Sequence, residues 1–321
     1  MSKTPTTKLA ILQRIADGQF HSGEALGEDL GISRAAVAKH IKSLRAWGLD
    51  IYRVQGKGYC LEKPLQLLDS EKIVSRFGRV DVFAEIDSTN QYLMEQLTEL
   101  EQGRVCLAEY QSAGRGRRGR KWVSPFGQNL YLSMYWNLSA GLGAAMGLSL
   151  AIGIATVEAL EKLDIHGVKL KWPNDLYYQD KKLAGVLVEL SGQTGGVADV
   201  VIGMGMNIAI SEQDSQAITQ PWSCIEEIVP GRRIDRNQLA SALIESWHQT
   251  LVEYETSGLG AFLARWQRLD NYLGRPVRLI IGEQQHHGVM KGINEQGAVL
   301  LENDQGTQAF FGGEISMRGT D

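Results

Sequence analysis

Apolar residues return every three or four positions at the start of the chain. Leu9, Leu12, Ile15 and Ala16 share one face and predict a helix over 8–17, ended by Gly18. Ser22 is placed to cap a second helix over 23–30 that stops at Gly31. Ser33 is placed to cap a third over 34–47, closed by Gly48. In the third helix Val37, Ile41 and Leu44 recur at i, i+4 and i+7 as a buried stripe, leaving Arg34, Lys39, Lys42 and Arg45 outside. The spacing then becomes strand-like: 51–54 and 59–61 flank Gln55-Gly56-Lys57-Gly58, a hairpin with a basic tip. Three short helices and a basic hairpin predict a winged helix-turn-helix whose third helix reads nucleic acid.

Beyond Pro64 and a leucine-rich linker at 65–68, mixed elements follow. Strand 80–85 runs into Asp87-Ser88-Thr89-Asn90, small hydrogen-bonding groups at a strand end that also cap a helix over 91–100. Strand 129–136 precedes an apolar helix over 142–163. A turn at Pro173-Asn174-Asp175-Leu176 follows Lys171-Trp172, and Lys181-Lys182 is expected to turn before strand 183–190. In strand 200–210, Gly203 and Gly205 predict the close approach of something flat. The polar segment 211–221 has no period and is expected to be mobile, before helices over 237–255 and 260–268. From Arg275 five short strands, 277–281, 287–292, 298–302, 308–311 and 315–318, alternate with glycine turns, a spacing that fits a small closed β-barrel. His286 and His287 fall on opposite strand faces and read as surface residues.

Composition narrows the class. A chain of 321 residues, 43% hydrophobic and 22% charged, is long enough for two or three domains that each own a core. Residues 1–63 hold ten Lys and Arg against six Asp and Glu, whereas the remainder holds 23 against 31, so a basic module precedes an acidic body. Three widely spaced cysteines offer no disulfide framework and no zinc pattern. The longest uncharged run, 140–157, is short for a span and broken by four glycines, so no membrane is expected and the chain reads as cytoplasmic.

The densest chemistry lies at Gly114-Arg115-Gly116-Arg117-Arg118-Gly119-Arg120-Lys121-Trp122, five cations in the eight residues 114–121. Glycines let main-chain N–H groups approach a ligand, and each guanidinium offers a planar fork suited to phosphate. Gly114, Gly116 and Gly119 spell G-x-G-x-x-G, but Pro125 argues against the helix that a dinucleotide fingerprint must open. A P-loop is excluded because Arg120-Lys121 stands where Lys-Ser/Thr should be. The stretch reads as a polyphosphate clamp that orders on binding.

Taken with Asp87-Ser88-Thr89-Asn90, Lys171-Trp172-Pro173-Asn174-Asp175, Lys182-Leu183-Ala184-Gly185 and Gly203-Met204-Gly205-Met206-Asn207, this clamp makes the chain resemble, end to end, the bifunctional biotin protein ligase and biotin operon repressor family. The resemblance implies an α+β multidomain protein: a winged helix-turn-helix over 1–64, a catalytic domain over 65–270 with a mixed sheet related to class II aminoacyl-tRNA synthetases, and an SH3-like β-barrel over 271–321. It implies that Ser88, Thr89 and Gln111 hydrogen-bond the biotin ring, with Asn90, Gly114, Gly116, Gly185 and Gly203 around it, and that Trp122 packs on the aliphatic tail. Arg115, Arg117 and Lys182 become the catalytic cations. Asn174 and Asp175 lie near the reacting groups and metal, and Asn207 and Trp222 near the adenine. Ser22, Ser33, Arg34, Ala35, Lys39, His40, Lys42, Arg53 and Lys57 face DNA.

The implied substrates are biotin and ATP with Mg²⁺, with no tightly bound protein metal. The implied partners are a biotin carboxyl carrier protein, operator DNA and a second copy of the chain, recruited by biotinyl-5′-AMP. No protein nucleophile is needed, because the attacking carboxylate is already ionised and catalysis falls to positioning and charge. Two competing readings remain, a transcription factor that only senses a nucleotide-like ligand and a lipoate-type ligase.

Overall fold

A computed structural model describes residues 6–139, 141–145, 147–192, 196–312 and 315–319. Three helices, α1 (Thr7–Ile15), α2 (Gly23–Leu30) and α3 (Arg34–Arg45), pack with the hairpin β1 (Ile51–Val54) and β2 (Gly58–Leu61). The Ser22 and Ser33 hydroxyls accept from the Ala25 and Ala36 N–H groups, and Gly31 (φ 66°) closes α2 in the left-handed conformation. Ile11, Leu12, Ile15, Val37, Ile41 and Leu44 form the core of this module.

Phe126, from far along the chain, is buried in the same core and stacks on Trp47, ring centroids 4.5 Å apart and 8° from parallel. Trp47 Nε1 donates to Glu85 Oε2 at 3.1 Å, and Lys8 Nζ sits over the Trp47 ring. Burial of a Phe side chain contributes roughly 1.5–3 kcal/mol, so the first domain is docked on the second rather than tethered to it. The intervening linker is held as well. The Leu68 N–H donates to Glu109, the Asp69 N–H to Asn237 Oδ1, and Arg236 to the Gln66 carbonyl.

A seven-stranded sheet forms the middle of the molecule. In sheet order its strands are β3 (Val80–Phe83), β4 (Val105–Ala108), β5 (Leu130–Leu138), β9 (Ala198–Met206), β8 (Lys181–Gly192), β7 (Asp175–Tyr178) and β6 (Lys169–Lys171). β3 and β4 are parallel and the other pairs antiparallel. On β5, Leu130, Leu132, Met134 and Trp136 face a core made with α5 (Leu148–Lys162) and α8 (Arg236–Ser257), while Tyr135 faces α4 (Thr89–Met94). α5 buries residues all round, which is why its sequence lacks a polar face.

Several expected elements shift. The helix expected over 142–163 begins at Leu148, because Gly147 (φ 84°) is left-handed and a 3-10 turn covers Leu142–Ala145. The helix expected over 91–100 starts at Thr89, capped by Ser88, and gives way to a 3-10 turn at Leu97–Glu99. The turn expected at Lys181-Lys182 falls at Gln179 and Asp180, both at positive φ, and both lysines belong to β8. Strand 200–210 is β9, ending at Met206. The segment expected to be irregular contains a short helix, α6 (Glu212–Ser215), capped by Ser211, and α7 (Ile225–Ile228) follows.

α9 (Leu263–Leu269) leads into a five-stranded antiparallel sheet ordered β13 (Gly306–Phe310), β12 (Val299–Asn303), β11 (Gln284–Ile293), β10 (Pro276–Ile281), β14 (Ile315–Gly319). Its interior residues Val277, Leu279, Met290 and Leu301 join the central core, and Trp172 Nε1 donates to the Gly297 carbonyl at 3.0 Å. Among the described residues no helix is long and apolar enough to cross a membrane.

Candidate functional site

A cavity of about 570 Å³ opens over the middle of the large sheet. It is walled by the cationic loop, the β6–β7 turn, strands β8 and β9, the segment Ala217–Trp222, and Ile315, Met317 and Arg318 of β14. Ser88, Thr89, Asn90, Gln111, Arg115, Gly116, Arg117, Trp122, Asn174, Asp175, Lys182, Gly185, Gly203, Asn207 and Trp222 all line it. Gly114 stands behind the wall. A Cβ there would meet Ser124 Oγ at 2.6 Å and the Trp122 carbonyl at 2.8 Å, so the glycine is required by packing.

One end of the cavity is a satisfied polar network. Gln111 Oε1 accepts from the Thr89 N–H at 2.9 Å and from its hydroxyl at 3.2 Å, while Gln111 Nε2 donates to Ser124 Oγ. Ser133 Oγ donates to Asn90 Oδ1 at 2.6 Å, and Asn90 Nδ2 donates to Glu189 Oε2 at 2.8 Å. Ser88, Thr89 and Asn90 are buried, so each rotamer is held from behind before any ligand arrives.

The flat partners expected over Gly203 and Gly205 belong to the protein itself. A Cβ on Gly203 would lie 1.9 Å from Asn90 Oδ1, and one on Gly205 2.3 Å from the Trp122 ring. The Trp122 indole therefore lies against β9, with Lys182 Nζ 5.5 Å from its ring centroid, and among the described residues its N–H has no hydrogen-bond partner.

The other end is cationic. Arg117 is half-buried rather than exposed as its glycine-rich surroundings imply, and its Nη1 donates to Asn174 Oδ1 at 2.9 Å. Asn174 in turn donates to the Val186 carbonyl at 2.7 Å. Arg118 closes the turn at φ 60°, a conformation that L side chains rarely adopt. Lys182 Nζ lies 2.8 Å from Asp175 Oδ1, close enough to pair, yet that oxygen accepts no aligned hydrogen bond. Asn207 Nδ2 donates to the Ser223 carbonyl at 3.1 Å, and Lys182 bridges Trp222 through the backbone, which holds the C-terminal end of the 211–222 segment at the cavity.

Two further cations stand in this wall, Arg318, which no motif in the sequence marks, and Lys171, which opens the Lys171-Trp172-Pro173-Asn174-Asp175 motif but takes no role of its own from it. Arg318 arrives from β14, and Lys171 is buried where β6 ends, donating to Tyr177 Oη at 2.9 Å. Burial pushes the Lys171 ammonium down to about 8; Asp175 opposes the shift, and Arg318 and Lys182 add to it. Between about pH 8 and the ordinary lysine range the folded protein binds fewer protons than the unfolded chain. The charged lysine therefore opposes folding below about pH 8, and stability is gained as pH rises above it. A bound polyphosphate favours the charged form, so Lys171 takes up a proton on binding. Pyrophosphate affinity is expected to fall as pH rises through about 8, and Lys171→Met to flatten that slope in equilibrium titrations. A variant that keeps the wild-type slope would remove Lys171 from contact with the anion.

On the first domain, Arg34, Ala35, Lys39, Lys42, Arg53 and Lys57 are exposed and His40 is half-buried, on one helix and the adjoining hairpin. The Ser22 and Ser33 hydroxyls are engaged in capping. Lys57 lies over the Phe20 ring at 5.6 Å, which gives the hairpin tip an aromatic neighbour.

Comparison with known proteins places these regions. The biotin/lipoate A/B protein ligase family model matches residues 82–207, an HTH domain matches 7–60, and the biotin protein ligase C-terminal domain matches 272–318. The bifunctional ligase/repressor BirA of Escherichia coli (strain K12) is 52% identical over 98% of this chain and 98% of its own. Its Salmonella typhimurium counterpart is 53% identical over 98% and 99%. Among solved structures, biotin protein ligase from Aquifex aeolicus in complex with biotin and ATP superposes with a TM-score of 0.66 at 31% identity, covering 75% of this chain and 99% of that one.

Proposed function

The chain belongs to the biotin protein ligase family, in its bifunctional ligase/repressor group, and from that premise we propose that it joins biotin and ATP into biotinyl-5′-AMP. It then transfers biotin to a lysine of a carrier protein, and it represses transcription when the adenylate is held. The observation that carries the reading is one cavity with a neutral, hydrogen-bonding end at Ser88, Thr89 and Gln111 and a cationic end at Arg117, Lys182 and Lys171. A ureido ring fits the first end and a carboxylate facing a polyphosphate fits the second.

In this reading Asn90 and the network behind it fix the ring, and Trp122 covers the alkyl tail against β9. Arg115, Arg117 and Lys182 balance the charge that develops as the carboxylate oxygen attacks the α-phosphorus and pyrophosphate leaves. Asn207 and Trp222 take the base. The loop at 114–122 and the segment at 211–222 shield the mixed anhydride from water. Asp175 Oδ1, buried beside Lys182 but without an aligned donor among the described residues, fits a Mg²⁺ ion that arrives with the nucleotide. That ion would supply charge neutralisation on the phosphates. Among the described residues no three His, Cys, Asp or Glu side chains gather to hold a metal by themselves.

The domains are taken as 1–64, 65–270 and 271–321. The central sheet is read as related to class II aminoacyl-tRNA synthetases, the last as an SH3-like barrel, and the location as cytoplasmic. A single winged helix with a few phosphate contacts binds DNA weakly and salt-sensitively, so repression calls for two copies on a two-fold site. The adenylate recruits the second copy only through its differential affinity for the dimer, about 1–3 kcal/mol. Sedimentation with and without a non-hydrolysable adenylate analogue tests this, and a dimerisation constant that ignores the analogue would leave repression without a switch.

ATP-dependent pyrophosphate release assayed with biotin, lipoate and octanoate decides the enzymatic half. No release means a sensor, and release with lipoate alone means the other branch of the family model. Lys182→Ala is expected to slow adenylation about tenfold and to leave binding of a biotin analogue lacking the carboxylate unchanged. Equal weakening of both ligands would refute its role at the carboxylate.

A further inference from the structure

Glu189 does not line the cavity, yet its Oε2 accepts from Asn90 Nδ2 at 2.8 Å and from Arg115 Nη2 at 2.8 Å. Those donors come from different segments of the chain. Asn90 opens α4 at the neutral end, seated over Gly203 with its oxygen taken by Ser133. Arg115 belongs to the cationic loop, whose backbone is closed by a bridge between Arg115 and Lys121. Among the described residues no other carboxylate meets either donor. Glu189 itself lies in the second half of β8, opposite Val201 of β9, where β8 pairs with β9 alone.

We propose that Glu189 is a positioning residue of the ligase reaction, one carboxylate oxygen that ties the ring-binding end to the cationic loop. This rests on the ligase reading above. Held by one Nη2, Arg115 presents its remaining N–H groups to the cavity in a fixed orientation. Asn90, drawn by the same oxygen, keeps its amide against the floor of the ring pocket. Ligand entering at the neutral end then meets a loop whose first arginine is already aimed, so less ordering is left to be done on binding. Losing the charge loosens the loop without removing any group that touches the reacting atoms.

Glu189→Gln isolates the effect, because the amide oxygen still accepts from Asn90 while the ion pair with Arg115 is lost. For the full-length protein, the KM for biotin and the dissociation rate of preformed adenylate are expected to rise about three- to tenfold. That rise should exceed any fall in kcat. In an Arg115→Gln background the same substitution should have almost no further effect, since the partner is already gone. The proposal is overturned by equal fold-changes in the two backgrounds, or by a loss confined to melting temperature and kcat with KM for biotin unmoved. Failure of the wild-type protein to release pyrophosphate with biotin is a different result, and it refutes the ligase reading itself.

Discussion

Arg236→Met is expected to lower the stability of the central domain by about 3–5 kcal/mol. Arg236 and Glu109 are 4% and 3% exposed, and Nη2 lies 2.8 Å from Glu109 Oε2. Among the described residues that carboxylate oxygen has no aligned hydrogen bond, so the arginine holds it by charge, while its own N–H groups go to the carbonyls of Asn129 and Gln66. Removing the guanidinium leaves a buried carboxylate with the Leu68 N–H as its remaining donor. The double variant Glu109→Gln/Arg236→Met should recover more than half of the loss, as read by calorimetry of the transition that carries the central domain. Because the pair grips the linker at Gln66 and Leu68, limited proteolysis near 64–70 should also accelerate in the single variant. A single substitution costing under about 1 kcal/mol would mean that the linker is held by Asn237 and not by this pair.

The second large effect is on chemistry. Arg117→Ala is expected to weaken formation and retention of the adenylate by about 2–3 kcal/mol, or about 30- to 150-fold. The change removes a charged donor from the cavity and also frees Asn174, which Arg117 holds at 2.9 Å. Arg117→Lys should restore only part of the loss, because an ammonium cannot hold Asn174 and a phosphate with one planar fork. Quench-flow measurement of adenylate formation, with a chase for its release, reads both quantities. Unchanged rates with the whole loss in melting temperature would turn the clamp into a structural loop.

The N-terminal module was readable from the sequence almost to the residue because its signals are local: Ser22, Ser33, Gly31 and an i, i+4, i+7 stripe each act within one turn. The residues around the cavity were readable through their clustering in short motifs. Strand β4 was not, since four buried residues in a row carry no alternation, and neither was the start of α5, where apolar residues hide a left-handed Gly147. Long-range contacts were equally silent. Nothing near Phe126 indicates that it completes the core of a domain ending sixty-odd residues earlier, and nothing near Glu189 or Arg318 indicates the cavity they serve. Arg117 shows the converse case. Glycine neighbours imply exposure, and a distant asparagine reverses it.

The strand order has a consequence for synthesis. β9 is inserted between β5 and β8, paired with β5 from Leu130↔Met206 to Leu138↔Ala198. A chain leaving the ribosome therefore builds β3, β4 and β5 with the long apolar edge of β5 unpaired, and it waits for residues 139–197 before that edge is covered. The winged helix-turn-helix, whose contacts are local, can form early, but Phe126 must follow before its core is complete. The strand that carries Gly203 and Gly205 is thus also the one that closes the sheet, so a chain truncated before Ala198 has neither a binding floor nor a protected edge.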